Sequence, residues 1–229
     1  PGLHRYYWDG RLSEKARLNQ NNAPLTEAGR ANLAPPGNYQ VSVYLSQRGE
    51  VLPLDLENTS FRLRWLNNNT FRAPDVQGLA QFQDSLESTF RRYEGLSQRF
   101  KQLKEWAGKL KAAARNTPGA PVTLLNDLHQ LAQKLPPLAR RMYGDKVKEA
   151  QYFATAPSLE ERLALARWNS YSTTSAPTAE QQKNLRIVRR SLGTIDRELT
   201  NLRGDLLRFY DILQNNEAPV LPELEAAGS

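Results

Sequence analysis

The run Trp8-Asp9-Gly10-Arg11 places an indole, a carboxylate and a guanidinium within four residues. On a regular strand Asp9 and Arg11, two apart, share a face, so they can pair or tie down a loop. Gly10 between them admits a bulge or a turn. The reading this favours is structural: Trp8 buries against a β core and the Asp9–Arg11 pair fixes the chain beside it. The alternative is a ligand site on the adjacent rings of Tyr6, Tyr7 and Trp8, stacking a carbohydrate. Nothing else in the sequence converges on those rings.

Other chemistry is poorly provided for. Glycoside hydrolysis needs two carboxyl groups held a fixed distance apart across a cleft. Glu160 and Glu161 are neighbours that point apart on a helix, and Asp9 and Glu14 flank a loop. The two histidines, His4 and His129, are far apart and have no convergent carboxylates, a poor set for a metal. His129 follows Leu128 in a leucine stripe and is expected to flank it. Cysteine is absent, which excludes a disulfide scaffold, a thiol nucleophile and Cys-ligated metals. There is no glycine-rich phosphate loop, no G-x-S-x-G and no H-E-x-x-H. The sequence therefore assigns no catalytic residue, no metal ligand and no cofactor, and the expected chain is non-enzymatic.

The formal net charge is +7. The excess is spread, and the densest basic points are three separate pairs, Arg91-Arg92, Arg140-Arg141 and Arg189-Arg190. A nucleic-acid binder gathers its cations on one face, often with aromatics between them. The expectation is a solvated, moderately basic surface with weak attraction for polyanions and no specific nucleic-acid partner. No apolar run reaches the length of a membrane span.

These residues sit on two regions of different period. In residues 1–72 the pattern is that of strands. Asn38–Arg48 alternates, with Tyr39, Val41, Val43 and Leu45 on one face of a half-buried strand. Val51–Asn58 puts Leu52, Leu54 and Leu56 on one side, with Pro53 marking an edge. Ser60–Leu66 alternates through Phe61, Leu63 and Trp65. Arg48-Gly49-Glu50 is a hairpin turn, and Pro35-Pro36-Gly37 is a rigid turn delivering the chain to Tyr39. Residues 13–34 read as a long polar loop.

From Pro74 the apolar residues step three and four apart. The first stripe runs Leu79, Phe82, Leu86, Thr89, Tyr93, Leu96, Phe100, Leu103, Ala107, Leu110 and Ala114. This is a heptad seam on a helix of about 40 residues, ~60 Å long, starting after Asp75 and ending at Asn116–Gly119. Leu124, Leu128, Leu131, Leu135, Leu138 and Met142 form a second stripe, on a helix 122–153 that Pro136-Pro137 should break or kink. Ser158 with Glu161 forms a capping box for a segment 158–172. The last helix, 177–215, opens with Pro177 in its first turn and carries Leu185, Val188, Leu192, Ile195, Leu199, Leu202, Leu206, Phe209 and Leu213. Residues 217–229 read as a tail. The seam aromatics Phe82, Tyr93, Phe100 and Phe209 are core. Trp106, one place off the seam, and Trp168 are the rings expected to be partly exposed for contact with a partner.

The fold class predicted is α+β: a small β portion at 1–72, then an antiparallel bundle of long helices at 73–216. Four strands are visible where an immunoglobulin-like sandwich needs about seven, so either the β part is a small, atypical sheet packed on the helices or, the favoured expectation, its other strands lie upstream on a longer precursor.

Gly2–Arg11, containing Trp8-Asp9-Gly10-Arg11, followed by Leu33–Leu45 with Pro35-Pro36-Gly37 and Tyr39, resembles the immunoglobulin-like module of flagellar hook-capping proteins. More closely it resembles the C-terminal region of bacterial exported sortilin-like proteins with BNR-type β-propeller repeats, many of them labelled glycosyl hydrolases. Pro177–Gln182 is similar to the opening of the helical segment that follows the sandwich there. The long polar stretch between Arg11 and Leu33 departs from that pattern. The resemblance implies an extracytoplasmic location, in the periplasm or at the cell surface. It implies an upstream β-propeller part of the same precursor as partner, and places any hydrolase or ligand chemistry in that propeller, outside this chain. The chain itself would dock, with an unidentified protein as its further partner.

Overall fold

The structure is a computed structural model that describes residues 5–12, 17–18, 24–25, 31–47, 49–55, 59–66 and 71–218. It is mixed α+β, with short antiparallel strands followed by long helices. His4, Glu14, Leu56 and residues 219–229 lie outside the described residues.

The strands form three separate antiparallel pairs. β1 (Arg17–Leu18) pairs with β2 (Pro24–Leu25) inside the stretch read as a loop, whose ends are joined by a bridge between Arg11 and Leu33. β3 (Gly37–Gln40) lies between β1–β2 and two longer strands in the chain, β4 (Val43–Gln47) and β5 (Glu50–Leu54), and β6 (Ser60–Leu63) closes the series. β3 pairs with β6, Tyr39 opposite Phe61, and β4 pairs with β5, Gln47 opposite Glu50, so the hairpin turns where expected, beside Gly49.

The structure corrects the single strand expected over Asn38–Arg48. The chain leaves the ladder at Val41–Ser42 and changes partner from β6 to β5. The Val41 amide still donates to the Thr59 carbonyl at 2.8 Å, and from Val43 the pairing passes to Leu54, so the run faces two partners in turn. The expected half-burial is corrected too. Tyr44 and Leu45, on opposite faces of β4, are both exposed, as are Val51, Leu52 and Leu54 of β5.

The helices follow their caps and seams. α1 spans Val76–Arg115, with Asp75 accepting from the Gly78 amide at 2.8 Å. α2 (Val122–Gln133) and α3 (Leu135–Tyr143) are one seam interrupted at Lys134, two residues before Pro136 and Pro137, which occupy the first turn of α3. Leu124, Leu128, Leu131, Leu135, Leu138 and Met142 are all buried across the break. The expected run to residue 153 ends ten residues early. Gly144, at φ +91, turns the chain into the left-handed region, and a short α4 (Lys146–Ala150) follows with Asp145 as its cap.

α5 (Leu159–Arg167) carries the expected capping box, and α6 spans Ala179–Asn215. Pro177 lies outside α6. Thr178 is the N-cap, and its hydroxyl and the Gln181 side chain satisfy each other's amides at 3.2 and 2.9 Å.

In the α5 box, Glu161 accepts from both the amide and the hydroxyl of Ser158, at 2.7 and 2.9 Å. Those hydrogen bonds hold the Glu161 carboxyl below the usual carboxylate range. Ser158→Ala should cost about 1 kcal/mol of stability in urea unfolding. The Glu161 contribution is present above the unfolded-state pKa and lost as pH falls through the lower folded value. The difference between wild type and Glu161→Ala should therefore begin to shrink as the pH falls below about 4 and be lost only below the lower folded value.

One apolar cluster joins the helices, from Leu86 on α1 through the α2–α3 seam and α5 to Leu213 on α6. α1 and α6 lie side by side. Arg189 meets Ser85 and Arg92 meets Asp196, each pair 104 residues apart, and further along Trp106 stacks on Tyr210. A constant offset means that the two rods run parallel, which corrects the expectation of antiparallel packing for this pair. The return is made by α2, α3 and α5. Lys134 pairs with Asp205 and Arg141 with Glu198, so this segmented rod runs against α6.

Candidate functional site

Arg11 is the pivot of the Trp8–Arg11 motif. Its amide donates to Asp9 Oδ1 at 3.1 Å, and its Nε lies 3.7 Å from Asp9 Oδ2. Its Nη1 donates to the Ala31 carbonyl at 2.7 Å and to the Tyr171 carbonyl at 3.1 Å, 160 residues away. The guanidinium thus pins the strand portion to the segment between α5 and α6. Gly10, at φ +75, makes the turn that permits this. Around it the Ala34 amide donates to the Gly10 carbonyl and the Leu12 amide to the Asn32 carbonyl.

The structure corrects the burial expected of Trp8, which is 48% exposed. Its ring packs on Tyr39 and Phe61, with centroids 5.7 and 5.6 Å away, while its Nε1 donates to the Arg11 carbonyl. Among the described residues no second sheet covers the outer face. Tyr6 and Tyr7 are fully out in solvent and take no part in the cluster. Pro35 receives the Tyr39 hydroxyl on its carbonyl at 2.6 Å, so the Pro35-Pro36-Gly37 turn and Tyr39 close on each other.

This strand portion seats on the start of α1. Leu33, Ala34, Pro35 and Trp65 face Val76, Leu79 and Ala80. The Ala73 amide donates to Thr174, and Gln83, buried, donates to the Ser170 carbonyl at 2.6 Å. The motif is a fastening between strands and helices.

Of the grooves on the described helical part, two are larger than the cleft of about 490 Å³ between the starts of α1 and α6. One, of about 840 Å³, lies between α1 and α5. It is walled by Phe90, Tyr93, Tyr143, Trp168 and Tyr171, with Glu94, Gln98, Glu160 and Asn169 as its polar groups. Arg167 lies 3.8 Å over the Phe90 ring, a cation–π contact. The Tyr93 hydroxyl donates to the Met142 carbonyl, and the Tyr143 and Ser97 hydroxyls lie 2.8 Å apart. Burial, then the nearby Glu160 carboxylate, pushes the Tyr93 phenol well above its ordinary range; burial raises Tyr143 also. Both phenols stay neutral donors. Glu160 borders the groove while Glu161 turns away into its capping box, so the two carboxylates diverge as expected.

The other groove, of about 710 Å³, lies between the α3–α5 return and α6, and basic side chains line it. Sequence reasoning marked Arg140-Arg141 and Arg189-Arg190 as isolated pairs. The fold brings Arg140 and Arg190 to one concavity with Lys148 and Arg162.

Trp168 caps α5 and is 73% exposed at the rim of the aromatic groove. Trp106 is half-buried, stacked on Tyr210 between the two long rods, so its ring is largely spent within the fold. His129 is exposed beside the seam, 3.1 Å from the Gln133 side chain. Among the described residues no group of three or more His, Asp or Glu side chains is placed to hold a metal ion, and no helix is long and apolar enough to cross a membrane. No protein-family model, curated protein or solved structure matches the chain.

Proposed function

We propose that this chain is a non-enzymatic docking module of an exported, extracytoplasmic protein. Its β portion, immunoglobulin-like in kind, seats on an upstream β-propeller of the sortilin-like, BNR-repeat type. Its helices, packed as a bundle, project toward a further protein. The observation that carries the reading is the β4–β5 ribbon. Among the described residues it is two strands wide with no strand paired to either edge, and it carries Tyr44, Leu45, Val51, Leu52 and Leu54 exposed. An isolated two-stranded ribbon is marginal in water. Uncovered apolar side chains and open edges are what a sheet-bearing partner covers. The resemblance of Trp8–Arg11 and Pro35–Tyr39 to the sortilin-like proteins supports the choice of partner.

Hydrogen exchange tests this. The amides of residues 43–54 should exchange quickly in the isolated chain and slowly once the propeller part of the precursor is added. Leu45→Glu with Leu52→Glu should abolish that slowing and leave α1 and α6 unaffected. Equal exchange with and without the propeller overturns the reading.

A second reading, glycan binding, is favoured by the aromatic groove, where the exposed Trp168 stands beside Tyr171 with Gln98, Asn169 and Glu160 at hand. Ring faces flanked by amide and carboxylate groups suit a sugar. Titration with neutral oligosaccharides should then quench or shift tryptophan fluorescence in the wild type and not in Trp168→Ala. A silent titration dismisses this reading and leaves the docking one untouched.

A further inference from the structure

We infer that the basic groove between the α3–α5 return and α6 is a binding site for a compact oxyanion carrying several phosphate or sulfate groups. Its walls come from four parts of the chain. Arg140 and Arg141 stand on α3, Lys148 on α4, Arg162 on α5 and Arg190 on α6. Asp145 is the one acid in the lining, and its carboxylate is turned to the Lys148 amide as the cap of α4.

The neighbouring acids are also engaged. Glu198 takes Arg141 in a two-pronged pair, Glu149 takes Lys146, and Glu161 takes Ser158. Arg140, Lys148 and Arg190 have no acidic partner among the described residues. Arg162 donates to the Asn184 amide oxygen at 3.0 Å and lies near enough to the Glu161 carboxylate to lower its pKa, but makes no ion pair among the described residues. Four cations thus face one concavity against a single lining acid, Asp145, whose carboxylate caps α4.

Arg162 is also held in place. Asn184 is 1% exposed, accepts from Arg162 through Oδ1, and donates through Nδ2 to Glu180 at 3.0 Å. A buried amide spent on orienting a half-exposed guanidinium leaves the rest of that fork to a ligand. The hydroxyls of Thr155, Ser191 and Thr194 line the same space and can donate to oxyanion oxygens.

The kind of anion follows from what is missing. No aromatic side chain lines this groove, so it offers no platform for stacking bases as single-stranded nucleic-acid sites do. The cations surround a hollow of about 710 Å³, the size of a small-ligand site. Clustered arginines in such a hollow suit phosphate and sulfate, whose oxygens accept two parallel N–H groups from one guanidinium.

Calorimetric titration of the full chain at about 0.2 M salt, where diffuse attraction is screened, tests the inference. Tripolyphosphate and a trisulfated disaccharide serve as two probes, with orthophosphate and a single-stranded oligonucleotide as comparisons. Saturable one-to-one binding of either multivalent probe is expected, and which of the two binds more tightly tells phosphate from sulfate. Arg140→Gln with Arg190→Gln should weaken binding by about a hundredfold, taking about tenfold for each charge-assisted contact. Lys109→Gln with Arg208→Gln, exposed cations outside the groove, should change it less than about twofold. All four sites are at the surface, and circular dichroism checks that the helices persist. The inference is overturned by the absence of saturable binding, by equal weakening in both double variants, or by retention of the oligonucleotide alone.

Discussion

Leu199→Ala should lower the free energy of unfolding by about 3 kcal/mol, the ordinary cost of truncating a fully buried leucine. Leu199 is 0% exposed and sits midway along α6, where the seams of α1 and of the α2–α3 return meet it. Three methyl-sized groups are lost, and the rods on either side, each fixed by its own seam, cannot collapse into the space. In urea the midpoint should fall with the slope unchanged. On heating, the midpoint should drop by about 6–12 °C for a chain of this length. Leu165→Ala is the comparison, since Leu165 is 52% exposed on α5 and should cost less than about 0.5 kcal/mol. Equal losses in the two variants would mean that the stripes are not the interior.

Residues 71–218 alone should keep the helical signal and a cooperative melt, while residues 1–72 alone should show no cooperative transition. Every large buried side chain among the described residues lies at or beyond Leu79; before it, only Ala34 and Ala73 are buried apolar residues. Among the described residues the strand pairs are two wide, and β4–β5 is mostly exposed, below what stands alone in water. Arg11, Ala34 and Trp65 hold to the helical part, and without it they lose their partners. Calorimetry on the two fragments decides the matter. A sharp melt from 1–72 would show that the strand portion carries its own core.

The helices were legible because a three-four step of apolar residues has one cheap solution, a rod buried along that stripe. Ser158 with Glu161 and the paired prolines at 136–137 marked their local events correctly, since each acts within one turn. Thr178 with Gln181 carried the same capping signal and was passed over in favour of Pro177, which stands just outside α6. The relative direction of α1 and α6 was not legible. A stripe of leucines has no sense of direction, and only the length of the broken return decides it.

The strands misled for a different reason. Alternation at Asn38–Arg48 reports which side chains share a face, and says nothing of where the neighbouring strand ends or whether anything covers it. Trp8 looked like core because aromatics usually are; its exposure follows from the absence of a second layer among the described residues. The convergence of Arg140, Arg162 and Arg190 depends on residues up to 50 apart in sequence meeting across two rods, which no local pattern encodes.

The parallel pairing of the two long rods has a consequence for alignment. Their oily stripes repeat every seven positions, so a slip by one repeat would still set grease against grease. The marks that tell the correct setting from the slipped one are the cross-links: Arg92 and Arg99 on Asp196, Arg99 on Thr200, and the Trp106–Tyr210 stack. Each exposed ion pair adds little to stability. Together they index the rods like the lines of a vernier.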